Sequence, residues 1–561
     1  MISRTLLIVI QVTSFGILVG AIVAVCSVGF VSGVRHISNW RDEYSSCLNY
    51  ATSYCFSAQP IFFLMVSACL IIFVKRTLKI DRYHGPADVI LSAHSPSKDL
   101  DPKTGFLSTF SAFVSASGGA SVGQYGPLVH LGGTLGNLIN KRFPDLLTKD
   151  AFIGCGVAAA ISAGFNSPIG GIIFAHEAIL RHFSFKAIAP IAVSSVVSAT
   201  LTNYFFPSGI LFQNAASANI AMVPSVSFSL ILGPICAVIA VIFMRSLLIL
   251  QKHCNKISSS EFTRIMLAAL SVGLIGGFVP EVLGLGGETI VGLLEKSYTP
   301  IFIFSILCLK LLVTIICLGM GFFGGVFSPA LVLGAAVGGM LTYLGNIFGI
   351  DELGNALILA GMAALSASVI GAPIAVIVII FELTHSYELA FIAIICVTGS
   401  CLISSLIFEH SFFDKQLLNR DFLISRGRTD ILLSEIPVDQ LLGKNQYLAT
   451  LDTSYGAILK QFKESEFTEA YLVNKENQLL GKIKVNNILK DPNFIKNIEK
   501  KPLTLINTES VSEAITKASN FVGESIPVID SQNRLLGVVT EADLFSEYLS
   551  VQEKITRIER D

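Results

Sequence analysis

Charge is what this sequence has least of. Only 14% of its 561 residues are Asp, Glu, Lys or Arg, while 52% are hydrophobic, and the mean hydropathy is +0.68. Soluble domains carry about 25% charged residues. An aqueous globule cannot hide this much apolar surface, so most of the chain belongs in lipid. Neither sign of charge is in excess: the net charge of −1 excludes a strongly basic nucleic-acid binder. No small-residue cleavage site follows the apolar run from Thr5 to Val34, which therefore reads as a first membrane helix and not a removed leader. A disulfide framework is missing too, despite eleven cysteines. Cys26, Cys69, Cys155, Cys236, Cys308, Cys317, Cys396 and Cys401 sit in apolar runs and read as small buried hydrophobes. Cys47 and Cys55 share a polar loop, where a disulfide and two free thiols are equally open. No nucleophile–base or metal-ligand spacing occurs in the polar C-terminal part, so an enzyme is not expected.

What is present divides in two. From Met1 to about His410 apolar runs follow one another, and from Phe412 to Asp561 the chain turns polar. Residues 1–420 read as a membrane domain with halves at about 1–210 and 220–420. The halves resemble each other. Gly156, Pro168 and Glu177 recur as Gly361, Pro373 and Glu382, an offset of 205 at all three. Gly126, Pro127, Leu131, Gly132 and Gly136 align with Ser328, Pro329, Leu333, Gly334 and Gly338 at an offset of 202. Duplicated membrane halves place the permeant site where the repeats meet near the midplane.

Several apolar runs are broken by glycine and proline. Such breaks persist at membrane depth only when buried in protein or lining a cavity. A helix that begins inside the membrane points unpaired N–H groups and a partial positive charge of about +0.5 at whatever lies ahead. That is an anion site needing no lysine or arginine, and partial charges release an ion that a full charge would trap. Three segments fit: His84-Gly85-Pro86, Gly123-Gln-Tyr-Gly-Pro127 and Gly324-Gly-Val-Phe-Ser-Pro329.

These residues resemble the CLC chloride channel and transporter family. Gly123-Gln-Tyr-Gly-Pro127-Leu-Val-His130 is similar to its G-[KR]-E-G-P-x-V motif, and Gly324 to Pro329 is similar to its G-x-F-x-P motif. Gly361-Met-Ala-Ala and Phe381-Glu382-Leu-Thr384 resemble its later helices. The resemblance implies an all-α polytopic membrane protein with inverted-repeat architecture and broken helices, working as a homodimer with one pore per subunit. It implicates the amides of Val326, Phe327, Gln124, Tyr125 and Gly126 in holding the anion, and the His84-Gly85-Pro86 start adds Gly85. The family's serine contact falls on Tyr83, or on His84 after a one-residue slip, and its tyrosine contact falls on Phe413.

The departures bear on mechanism. Family exchangers carry a gating glutamate where this chain has Tyr125, and a proton-relay glutamate where it has Ala178. A phenol titrates near 10 and alanine not at all, so obligatory proton coupling is hard to build. The expectation is a passive chloride channel with Tyr125 as a neutral gate, or with its ring packed aside and the path open. The alternatives are a proton-coupled exchanger using Glu177 or His176, and a nucleotide-sensing membrane protein with a degenerate pore. Glu177 and Glu382, being repeat partners, read as structural carboxylates satisfied by helix-end amides.

The polar tail repeats as well. Tyr471-Leu-Val473, Asn477 and Leu479-Leu-Gly481 recur as Pro527-Val-Ile529, Asn533 and Leu535-Leu-Gly537, an offset of 56. Each unit reads strand, turn, strand, helix, and the pair resembles two CBS domains over 430–490 and 500–561, an α/β region. That resemblance implies a cytoplasmic tail able to take an adenine nucleotide (ATP, ADP or AMP). Gly537-Val-Val-Thr540-Glu-Ala-Asp543 keeps the family's nucleotide pattern, with Thr540 and Asp543 as contacts. Gly481-Lys-Ile-Lys484-Val-Asn-Asn487 lacks the hydroxyl and the acid. No cofactor is required, and chloride, lipid and a second copy are the expected partners.

Overall fold

Proline and glycine decide where the helices of this protein begin and end. The computed structural model describes residues 2–43, 56–144, 146–205, 221–350, 353, 355–420, 422, 428–443, 446–465, 467–490 and 498–560. Cys47 and Cys55 lie outside the described residues. The chain forms two compact units, Met1–His94 with Lys98–Arg420, and Ser95–Ser97 with Asp421–Asp561.

In the first half of the larger unit, α1 (Ile2–Glu43), α2 (Gln59–Thr77), α3 (Pro86–His94), α4 (Pro102–Ser117), α5 (Tyr125–Arg142) and α6 (Lys149–Phe165) lead to α7 (Pro168–Phe174). A π-helical turn (Ala175–Leu180) and α8 (Phe185–Phe205) follow. The second half runs through α9 (Met222–Ile257), α10 (Glu261–Phe278), α11 (Gly287–Leu294), α12 (Pro300–Met320) and α13 (Phe327–Ile347). It closes with α14 (Ala356–Ile370), α15 (Pro373–Thr384), α16 (Tyr387–Phe408) and α17 (Phe412–Leu418). Among the described residues eight helices are long and apolar enough to cross a membrane. The unit is inside-out by soluble standards. Phe62, Phe73, Leu230, Ile301 and Leu406 are exposed, whereas Ser162, Ser194, Ser198 and Thr314 are buried. Lipid accepts the former, and the latter need partners: the hydroxyls of Ser194 and Ser198 donate to the carbonyls of Cys155 and Ala159.

The repeat seen in the sequence is structural. Helix pairs α5/α6, α6/α8, α1/α6 and α1/α8 recur as α13/α14, α14/α16, α9/α14 and α9/α16. In each half glycine makes the close crossing possible. Gly132 lies against the backbone of Gly156 and Gly136 against that of Phe152; Gly334 lies against Gly361 and Gly338 against Leu357. All four contacts carry the offsets 202 and 205. α6 and α14 both end in a left-handed residue, Asn166 (φ 53°) and Gly371 (φ 79°). Each is followed two residues later by a proline that opens the next helix.

The smaller unit holds two three-stranded sheets. β1 (Leu448–Thr450) pairs parallel with β2 (Glu469–Val473), and β2 antiparallel with β3 (Leu479–Lys484). β4 (Leu505–Ile506), β5 (Ile526–Ile529) and β6 (Leu535–Val539) repeat that order. The two sheets join through their turns. Asn477 and Asn533, both left-handed, donate their side-chain amides across to the carbonyls of Leu535 (2.8 Å) and Leu479 (2.9 Å). Beneath lies a buried ion pair, Lys482 to Glu469 at 2.5 Å. The Tyr471 hydroxyl donates to the Ser525 carbonyl at 2.7 Å, and burial pushes that phenol well above the usual tyrosine range.

Candidate functional site

The two strongest sequence motifs meet face to face. The Gly123 amide donates to the Gly325 carbonyl at 2.7 Å, and the Gly325 amide donates back to Gly123 at 2.6 Å. This bridge joins residues related by the repeat offset of 202, so it lies on the pseudo-twofold relating the halves. It sets the starts of α5 and α13 side by side. A β-carbon on Gly126 would lie 3.0 Å from Gly325 Cα and 3.6 Å from the Pro86 ring, so the start of α3 adjoins them too. Only glycine allows backbone to approach backbone this closely. The first-turn amides of α5 (Tyr125, Gly126) and α13 (Phe327), with those of their N-caps Gln124 and Val326, have no intrahelical acceptor.

Over these starts sit three aromatic rings. Tyr125 stacks on Phe165 at 3.7 Å between centroids, with 15° between planes. Phe327 meets both edge-on, at 5.4 Å from Tyr125 and 5.0 Å from Phe165. Phe165 ends α6, so the cluster ties both helix starts to the core of the first half. The Tyr125 ring is packed between Phe165 and Phe327. On or beside these helix starts are buried polar atoms without a hydrogen-bond partner among the described residues: Gln124 Oε1, Ser328 Oγ, His84 Nδ1 and both ring nitrogens of His130. Ser328, the repeat partner of Gly126, is a hydroxyl donor absent from the expected site. The 202 offset pointed at its position without marking it as a contact.

The third helix start differs from expectation. The Gly85 amide is not free for an anion. Asp88, three residues on, accepts from it at 2.9 Å, and from Arg82 and Arg420 (3.0 Å). An acid at this place in a first helical turn reaches back to cap it. The His84 amide is likewise spent on Ser108 Oγ at 3.0 Å. Tyr83 turns its hydroxyl to the Ile71 carbonyl (3.4 Å) and lays its ring on Phe323 at 4.9 Å. Phe413 is buried beside Phe412 at 6.0 Å on α17, which packs against α3 and α14; its ring brings no donor.

Glu177 and Glu382 form a reciprocal clasp. Glu177 accepts from the amides of Ile374 (3.0 Å) and Ala375 (2.7 Å) at the start of α15. Glu382 accepts from Ile169 (3.0 Å), Gly170 (2.8 Å) and the Ser167 hydroxyl at the start of α7. The symmetry breaks just beyond. Glu177 sits in the π turn and its helix ends four residues later at the left-handed Arg181, whereas Glu382 lies three residues before the left-handed His385. The extra residue makes the π turn, and buried Ala178 lies in it. His176 is buried, its Nδ1 2.9 Å from the His182 carbonyl and its ring stacked on Phe183. We predict that Glu177→Gln and Glu382→Gln each cost about 1.5–3 kcal/mol, the worth of hydrogen bonds to a charged acceptor. Melting curves in detergent check this; unchanged midpoints in both variants would remove the clasp.

In the smaller unit Thr540 and Asp543 come together, but on each other. Asp543 Oδ2 accepts from the Thr540 amide (2.9 Å) and hydroxyl (2.7 Å), and the Asp543 amide donates to Thr540 Oγ1 at 3.1 Å. They cap α18 (Glu541–Arg560). A cavity of about 320 Å³ lies elsewhere, lined by Lys482, Lys484, Glu499, Lys517 and Phe521 among others. It opens beside the first unit's pattern, where Lys484 stands in the hydroxyl place.

Comparisons with known proteins converge on one family. A family model described as "Voltage gated chloride channel" matches residues 63–405, and one described as "CBS domain" matches 495–550. The H(+)/Cl(-) exchange transporter ClcA of Vibrio parahaemolyticus is 27% identical over 333 residues, covering 55% of this chain and 68% of its own. The voltage-gated ClC-type chloride channel ClcB of Escherichia coli is 26% identical over 408 residues, covering 69% and 95%. The crystal structure of a slow cyanobacterial Cl-/H+ antiporter superposes with a TM-score of 0.65 at 18% identity, covering 73% of this chain and 98% of its own.

Proposed function

The chain belongs to the voltage gated chloride channel family and is an anion transporter of that family; from this premise we propose that it passes chloride between the starts of α5 and α13, behind an aromatic gate built on Tyr125. The observation that carries the reading is the Tyr125–Phe165–Phe327 cluster standing over two uncapped helix starts. Gating by rings needs no proton, and Ala178 offers none, which supports uncoupled passage.

Relatives named as exchangers favour the second reading, proton-coupled exchange, over the channel. Of the residues first considered for it, Glu177 caps α15, and His176 turns Nδ1 to the His182 carbonyl while its buried Nε2 has no hydrogen-bond partner among the described residues.

Reversal potentials of reconstituted protein under opposed chloride and pH gradients separate the two. Uncoupled passage reverses at the chloride equilibrium potential whatever the pH gradient. A reversal that moves with the pH gradient would sink the first reading and establish the second, and no current at all would leave a nucleotide sensor with a closed pore. We place the protein in a plasma or inner membrane as a homodimer with a cytoplasmic tail, as the family resemblance implies. The Thr540–Asp543 pattern supports an adenine nucleotide there, measurable by calorimetry on the full protein.

A further inference from the structure

Fully buried histidine with two idle ring nitrogens is costly. A neutral imidazole carries one donor and one acceptor, and each left unpaired away from water is unfavourable by kilocalories. His130 is 0% exposed and neither nitrogen has a hydrogen-bond partner among the described residues. Its ring is met edge-on by His84 at 5.8 Å between centroids, and His84 Nδ1 is unpartnered as well. The pair is built, not incidental. The His84 backbone is held by Ser108 on α4. The His130 carbonyl accepts from Thr134 at 2.7 Å. Gly105 on α4 leaves the room the His130 ring occupies, since a β-carbon there would stand 3.3 Å from Cε1. His130 lies five residues after Tyr125 on α5, roughly 7.5 Å along the helix. His84 lies two residues before Pro86, whose ring adjoins Gly126.

We propose that His84 and His130 form a proton-binding site beside the anion path, which sets the rate of anion passage. This rests on the anion-transport reading. Hydronium from solvent gives its proton to a free imidazole nitrogen and leaves as water. The imidazolium then lies beside the second ring, 5.8 Å away between centroids. The charged groups facing them are Asp88 and Arg82 for both, with Arg420 and Asp101 also facing His84. Burial opposes the added charge, Asp88 favours it, and the arginines oppose it. A unit positive charge near the starts of α5 and α13 draws the anion in. The site supplies titratable chemistry that Tyr125 and Ala178 cannot.

Chloride efflux from liposomes is measured at about pH 7.5 and about pH 5, a range across which histidine titrates. The wild type should run about tenfold faster at the acid end, the effect of one charge at ~10 Å in a medium of dielectric constant ~20. His130→Gln and His84→Gln should each bring the acid-to-neutral ratio close to one. Using the ratio removes any change in basal flux, and either variant suffices if the other does not fold. A wild-type ratio near one, or a variant that keeps the wild-type ratio, overturns the site. Absence of chloride flux at both pH values fails the transport reading instead.

Discussion

Tyr125→Ala raises chloride flux by about tenfold. In the proposed gate, ring contacts hold the closed state: Tyr125 on Phe165 at 3.7 Å and against Phe327 at 5.4 Å. Aromatic pairs contribute about 0.5–1.5 kcal/mol each beyond their buried area. Two contacts therefore hold the ring by about 1–3 kcal/mol, which moves a closed–open equilibrium roughly five- to 150-fold. Tyr125→Phe keeps both contacts and discards only the hydroxyl, so it should leave the gate shut and separate ring packing from anion binding. Efflux from liposomes at equal protein density reads all three. Alanine flux equal to wild type would mean that the packed ring is off the path.

Most of the architecture was legible because it rests on residues that backbone geometry demands. Gly132, Gly156, Gly334 and Gly361 are where helices touch, Pro168 and Pro373 are where helices restart, and their spacing survived duplication. Glu177 and Glu382 could be read as structural from symmetry alone, and their mutual capping follows. The site was less legible, because a motif marks where a helix begins and not what already occupies its amides. Asp88 spends the Gly85 amide, a contact that depends on Arg82 and an arginine 332 residues away. His130 stood in the quoted motif, yet nothing in its neighbours says that its ring finds no partner; only packing decides that. The π turn was invisible for another reason. One extra residue after Glu177 changes the offset from 205 to 204 at Arg181 and His385, too small a slip to notice among apolar residues.

Gly156→Val should destroy the folded protein, and Gly361→Val should do so equally. A β-carbon at Gly156 would overlap the carbonyl of Gly132, and one at Gly361 the carbonyl of Gly334. Both obstacles are backbone inside packed helices, so no side chain can swing away. The crossing must open, and small-residue contact is what holds membrane helices together. Overpacking costs about 1–3 kcal/mol where side chains yield; here the backbone must yield, so about 3 kcal/mol is the lower end. Gly29→Ala on α1 is the control, because none of the described residues lies within 4 Å of its added carbon and alanine is favoured over glycine in a helix by about 1 kcal/mol. Monodispersity in detergent and melting midpoints read the outcome. Equal damage at 156 and 361 with none at 29 ties stability to the duplicated crossings. A folded Gly156→Val protein would show that α5 and α6 are not held at this distance, and the placement of the α5 start against α13 would fall with it.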